Sequence, residues 1–131
     1  MEKTEQQFMQ LRMLHEQIKQ VQEHLQTLEK QLTELVYVHE SLEEFKTVKP
    51  ETEILVQLAS GIFAVAKIQD PSHLRVNVGA SVVVEKNVDK TKEIIGEQIQ
   101  DLTKIQAEMQ KQFTLVLSQI QHLQAELKDH V

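Results

Sequence analysis

Near each end of the chain, apolar residues recur at alternating steps of three and four, and the segment between these two stretches cannot continue as helix. The first run is Leu11, Leu14, Ile18, Val21, Leu25, Leu28, Leu32, Leu35, His39 and Leu42, all apolar but His39. That spacing is a heptad seam, with Leu11, Ile18, Leu25, Leu32 and His39 at a, and Leu14, Val21, Leu28, Leu35 and Leu42 at d. The second run places Val88, Ile95, Leu102, Met109, Val116 and Leu123 at d, and Ile99, Gln106, Phe113, Ile120 and Leu127 at a. His39 and Gln106 read as polar residues that set register, at different levels of the seam.

The punctuation around these runs is that of helix ends. The first helix is expected from about Lys3 to Lys46 (segment 3–47), where Lys46 and Lys49 suit the negative end of a helix dipole and Pro50 halts it. The second starts at Asn87, an N-cap, with Asp89 in its first turn, and fills segment 87–131. Ile105 at g keeps its stripe wide, and Gly96 costs on the order of 1 kcal/mol relative to Ala. Two narrow stripes of similar length, joined by a compact insert, are satisfied by pairing as an antiparallel coiled coil. Each arm of about forty residues is then on the order of 60 Å long, and paired residue numbers sum to about 135, which sets Leu14 near Leu123, Leu28 near Gln106 and Leu42 near Ile95.

The insert, residues 51–86, holds four strand-like runs: Ile54 to Leu58, Ile62 to Ile68, Leu74 to Val78 and Val82 to Glu85. Ser60-Gly61, Asp70-Pro71-Ser72 and Gly79-Ala80-Ser81 separate them, so two successive β-hairpins in one small sheet are expected. In the first and third runs Ile54, Val56 and Leu58, and Leu74, Val76 and Val78, share a face opposite Gln57, Arg75 and Asn77, as in a sheet wet on one side. In the second and fourth runs both faces are apolar, because Phe63 and Val65 oppose Ile62, Ala64 and Ala66, and Val83 opposes Val82 and Val84. A two-helix hairpin cannot cover such a ribbon, and its open edges invite other strands. The strands are therefore expected to assemble into an oligomeric β-barrel within an α+β fold. Leu55, Val56, Phe63, Val65, Val76, Val82 and Val83 are the candidate oligomerisation residues.

Composition sets the outer limits. The 131 residues include no Cys, no Trp, one Tyr and three Gly, with 26% charged residues and a net charge of −6. No run reaches the roughly 18 apolar residues of a membrane span, and no signal-peptide core follows Met1-Glu2-Lys3. The chain reads as cytoplasmic. Its acidic balance argues against nucleic acid and against anionic membrane surfaces. Without Cys there is no disulfide framework, thiolate zinc site or cysteine nucleophile. His15, His24, His39, His73, His122 and His130 contain no pair at i, i+3 or i+4, so no metal site is assigned. Phosphate-binding and nucleophile-elbow motifs are absent from the sequence, and no catalytic residue, cofactor or enzymatic activity is expected.

Two heptad helices flanking EILVQLASGIFAVAKI and DPSHLRVNVGASVVVEKN resemble the alpha class of prefoldin subunits over nearly the whole chain. The most specific parts are Ile54-Leu55-Val56 leading to Gly61, and Val78-Gly79 leading to Val82-Val83-Val84-Glu85-Lys86. The four runs point to alpha, since the beta class carries a single hairpin. The resemblance implies one prefoldin-like domain over 1–131. It also implies a hexamer of two alpha-class and four beta-class subunits, with a double β-barrel body and six coiled-coil tentacles. Such proteins hold unfolded polypeptides at the tentacle tips and pass them to a group II chaperonin without ATP.

The residues give that mechanism a place to act. Non-seam positions near the insert are nearly all polar, whereas near the termini Phe8, Met9 and Met13 on the first arm, and Leu115, Leu117 and Val131 on the second, are not. Met repacks readily against unlike partners, so these six are the candidate client-binding set. The competing reading is that Phe8 and Leu117 widen the seam and the methionines are incidental. A second functional class also stands: a structural coiled-coil subunit whose hairpins build a scaffold or filament.

Overall fold

The computed structural model describes residues 2–128. It contains α1 (Glu2–Phe45), β1 (Glu53–Ala59), β2 (Ile62–Lys67), β3 (His73–Asn77), β4 (Val83–Asn87) and α2 (Val88–Lys128). By contacts the chain divides into a helix-pair unit, Met1–Thr33 with Gln100–Val131, and a hairpin unit, Glu34–Ile99.

In the helix-pair unit the heptad positions are the ones withdrawn from water. Val21, Leu28, Val116, Ile120, Leu123 and Leu127 are buried, while Leu11, Leu14, Ile18 and Leu25 are half-buried. The pairing is antiparallel. The Gln7 amide donates to Glu126 at 3.2 Å, and Gln10 and Leu14 border one cleft with Gln119, His122, Leu123 and Glu126. The residue numbers of the bonded pair sum to 133, close to the sequence expectation.

In the hairpin unit the end of α1 and the start of α2 are tied by charge. Lys46 Nζ lies 2.6 Å from Asp89 and 3.5 Å from Glu43, and Lys92 also pairs with Glu43. The hydrogen bond from Lys92, then the charge of Lys46, holds the Glu43 carboxyl below its ordinary range. The Lys46 hydrogen bond does the same for Asp89, and Asp89 in turn raises Lys46. Glu43, Lys46 and Asp89 are exposed and Lys92 is half-buried, so screening by water limits what these pairs add to stability. Here the structure corrects the helix-dipole expectation. The last turn of α1 carries no basic residue, because Lys46 lies beyond it and is engaged with Asp89 and Glu43. What closes α1 is a tightened turn. The Lys46, Thr47 and Val48 amides donate to the carbonyls of Glu43, Glu44 and Phe45, and the Thr47 hydroxyl adds a bond to Glu44 at 2.7 Å. At the other end the N-cap is where the sequence places it, with Asn87 Oδ1 accepting from the Lys90 amide at 2.7 Å.

The four strands make the two antiparallel hairpins expected from sequence, β1 with β2 and β3 with β4, but as two separate ladders and not joined in one sheet. The first hairpin turns through Ser60 and Gly61, whose φ of +77° is the left-handed conformation glycine adopts without penalty. A register shift at Leu58 puts a bulge just before that turn. The second turn is braced by Asn77, whose side-chain oxygen accepts from the Gly79 amide at 2.9 Å, and Ala80 and Ser81 are both held at positive φ. No side chain among the described residues falls below 2% exposure, so neither unit has a deep core.

Gly96 faces His39, and a Cβ built there would meet only the His39 Nε2, at 4.0 Å. That is ordinary van der Waals contact. Gly96→Ala is therefore expected to raise the stability of α2 by about 1 kcal/mol, read as a higher denaturant midpoint at unchanged slope. A lowered midpoint would mean that His39 needs the bare backbone.

Candidate functional site

Strand register decides which apolar side chains gather. In the first hairpin Leu55 stands directly opposite Val65, and Gln57 opposite Phe63, on a face that also carries the Glu53 and Lys67 pair. Leu55 and Val65 are each 68% exposed and Phe63 is exposed beside them, an arrangement water disfavours. The reverse face pairs Ile54 with Ala66 and Val56 with Ala64, the two alanines being half-buried. The second hairpin is more polar. Val76 pairs with Val84, both half-buried, while Arg75 meets Glu85 and Asn77 meets Val83 on the other face.

Of the seven residues proposed from sequence for assembly, Leu55, Phe63 and Val65 are therefore brought together on one open face. Val56 lies on the opposite face of that hairpin, and Val76 and Val83 belong to the second ladder. Val82 lies outside β4, a correction to the strand run read from Val82. Its amide donates to Gly79 and its carbonyl accepts from Val78, each at 2.9 Å, so it closes the turn. Each two-stranded ladder also leaves one edge of every strand unpaired.

In the helix-pair unit, Phe8, Met9, Met13, Leu115 and Leu117 are all exposed, from 37% at Leu117 to 70% at Met13. Val131 lies outside the described residues. The seam sets their directions. Leu115 and Leu117 flank the buried Val116, and Phe8 follows Gln7, whose side chain bonds Glu126. Phe8 and Leu117 both occupy e and border the seam, whereas Met9 at f and Met13 and Leu115 at c point away from it.

Two readings need revision. Ile105 was expected to widen the stripe, yet it is nearly half exposed. The expectation of a polar surface near the insert overlooks Val36, Tyr37 and Val38, three consecutive apolar residues of α1 that are all exposed. Their signal was legible: positions e, f and g are simultaneously apolar there.

Between the two ladders, three polar side chains close on one another. Asp70 accepts from the Ser72 amide at 3.0 Å and from its hydroxyl at 2.5 Å, and His73 Nδ1 lies 2.7 Å from the other Asp70 oxygen. The Ser72 hydrogen bond, followed by that of His73, depresses the Asp70 carboxyl to about 2, and the Asp70 hydrogen bond raises His73, with a smaller contribution from the charge of Glu85. Asn87 is the residue paired with His73 across the ladder.

The family described as "Prefoldin subunit" matches residues 14–130. A prefoldin subunit alpha of Methanococcus vannielii is 32% identical, covering 92% of this chain and 92% of that protein. One of Archaeoglobus fulgidus is also 32% identical, over 89% of this chain and 85% of the relative. Among solved structures, the cryo-EM structure of filamentous PFD from Methanocaldococcus jannaschii superposes with a TM-score of 0.78 at 20% identity, covering 88% of this chain and 96% of that one. At that identity the likeness is one of fold.

The Asp70–His73 contact carries a pH window. Its His73 contribution is complete below the ordinary 6.5 and lost as pH rises through the elevated value, while the Asp70 contribution is complete above 3.8 and lost as pH falls toward about 2. The His73 imidazole should accordingly titrate above 6.5 by NMR. Asp70→Asn should lower that midpoint, and an unchanged midpoint would show that the contact does not form in solution.

Proposed function

The chain belongs to the prefoldin family of chaperone subunits, and from that premise we propose that it is an ATP-independent holdase subunit acting in the cytoplasm as one domain. It captures non-native polypeptides through Phe8, Met9, Met13, Leu115 and Leu117, with Val131 as a sixth contact. The observation that carries this reading is that every described member of the set is exposed although it sits on helices whose seam is otherwise satisfied. Met9, Met13 and Leu115 turn away from the seam, while Phe8 and Leu117 border it, Leu117 being the least exposed of the set at 37%.

Met and Phe grip unlike sequences because their contact is non-directional, and Met adds flexibility. One such contact is weak. Several copies joined in one assembly raise the effective concentration of binding surface for a single unfolded chain. Joining copies is the task of the hairpins. The Leu55, Phe63 and Val65 face and the free strand edges support union with beta-class subunits, two alpha to four beta, in a shared β-barrel, and polypeptide held at the coiled-coil tips passes on to a group II chaperonin.

A second reading rests on the likeness to a filamentous relative, in which the same hairpins would join copies of this chain into an open filament. Native mass spectrometry of the chain, with and without a beta-class subunit, separates the two: a single closed hexameric mass favours the hetero-oligomer, and a ladder of masses without the partner favours the filament. Leu55→Asp with Val65→Asp should abolish either assembly, since charge would be forced into the buried contact.

Combining Phe8→Ser, Met9→Ser, Met13→Ser and Leu115→Ser is expected to weaken client capture about tenfold, the equivalent of ~1.4 kcal/mol, with the assembled mass unchanged. Suppression of aggregation of a heat-denatured test protein reads this directly. Undiminished suppression by an intact assembly would remove these residues from client binding.

A further inference from the structure

The methionines of the chain stand in different surroundings. Met109 sits at d, half-buried in the seam, and Met1 lies outside the described residues. Met9 and Met13 are 65% and 70% exposed, and they are four residues apart on α1, so their side chains follow one another along one stripe of the helix. Their neighbours at three and four residues, Glu5, Gln6, Gln10, Arg12, Glu16 and Gln17, are themselves exposed. The two thioethers therefore stand open to any small solute while lying off the seam.

A thioether so placed is open to two-electron oxidation. Its sulfur lone pair attacks the hydroxyl oxygen of a hydroperoxide, and an S–O bond forms as the O–O bond breaks. The departing oxygen keeps the bonding pair and takes up the hydroxyl proton, leaving as water or an alcohol. The sulfur is oxidised and the peroxide reduced. The sulfoxide is polar and chiral where the thioether was apolar and adaptable, so it matches the apolar segments of an unfolded chain poorly.

We propose that Met9 and Met13 form a reversible oxidation site, at which a hydroperoxide lowers client capture and methionine sulfoxide reductases restore it. In the return step a dithiol becomes a disulfide and the sulfoxide oxygen leaves as water. The proposal rests on the capture reading above. It adds that fold and assembly are untouched, because neither sulfur lies in the seam or in the hairpin unit. Oxidised Met109, by contrast, would set a polar group between the helices.

The test treats the full-length protein with hydrogen peroxide, removes the peroxide with catalase, and only then adds a heat-denatured test protein. Peptide mapping by mass spectrometry should show Met9 and Met13 each gaining an oxygen well before Met109. Capture should fall about threefold at unchanged native mass and helix content, and the two epimer-specific reductases with dithiothreitol should restore it. Met9→Leu with Met13→Leu should show no fall relative to its own untreated level, whereas Met109→Leu should fall as the parent does. The proposal is overturned if Met109 is oxidised as fast as the pair, or if the oxidised pair captures as well as before. It is also overturned if native mass or helix content changes, or if the double Leu variant is equally sensitive. Met9→Ser with Met13→Ser, without peroxide, tests the capture reading separately. Poor capture by that variant beside normal capture by the oxidised protein sinks the oxidation proposal alone. Capture equal to the parent's removes the pair from the client surface and sinks both.

Discussion

Two helices pressed together along one stripe can withdraw only that stripe from water, and the rest of this protein depends on that limit. Residues such as Val116 and Ile120 are buried, yet no described side chain is fully enclosed. A heptad seam converts length into stability because each further turn adds a knob-into-hole contact and a few backbone hydrogen bonds. It does so without creating a cavity or a thick core. A chain built this way has surface in excess, and its surface is where its function has to be placed.

The hairpins show the consequence most clearly. A two-stranded ribbon is marginal in water alone, and here each ribbon is left with open edges and with apolar residues such as Leu55 and Val65 exposed as a cross-strand pair. Such features destabilise a monomer and favour association, so incomplete burial within one chain becomes the specification for an assembly. Polar details keep each ribbon in shape meanwhile: the bulge at Leu58, the Asn77 side chain bonded to Gly79, and the Asp70, Ser72 and His73 cluster in the connection. None of these depends on a distant partner, which is why a ribbon with little interior can hold its register.

The helices divide their surfaces by chemistry. Exposed Phe and Met near the start of α1 offer contact without direction, suited to polypeptides of any sequence. The seam allows this, because it constrains only the a and d positions and leaves b, c, e, f and g free to vary.

Local rules decided much of this from sequence. Heptad spacing fixed which helix face is buried, Asn87 fixed where α2 begins, and Gly61 fixed the first turn, since each acts through residues a few positions apart. The exposure of Met9, Met13 and Leu115 was legible for the same reason, their heptad letters placing them off the seam. Tertiary structure alone decided that the strands form two ladders and not one sheet, that Val82 closes a turn, and that Lys46 reaches Asp89 and does not sit in the last turn of α1. Each of those outcomes turns on where a residue distant in sequence comes to rest, or on a turn closed by backbone hydrogen bonds, and side-chain periodicity encodes neither.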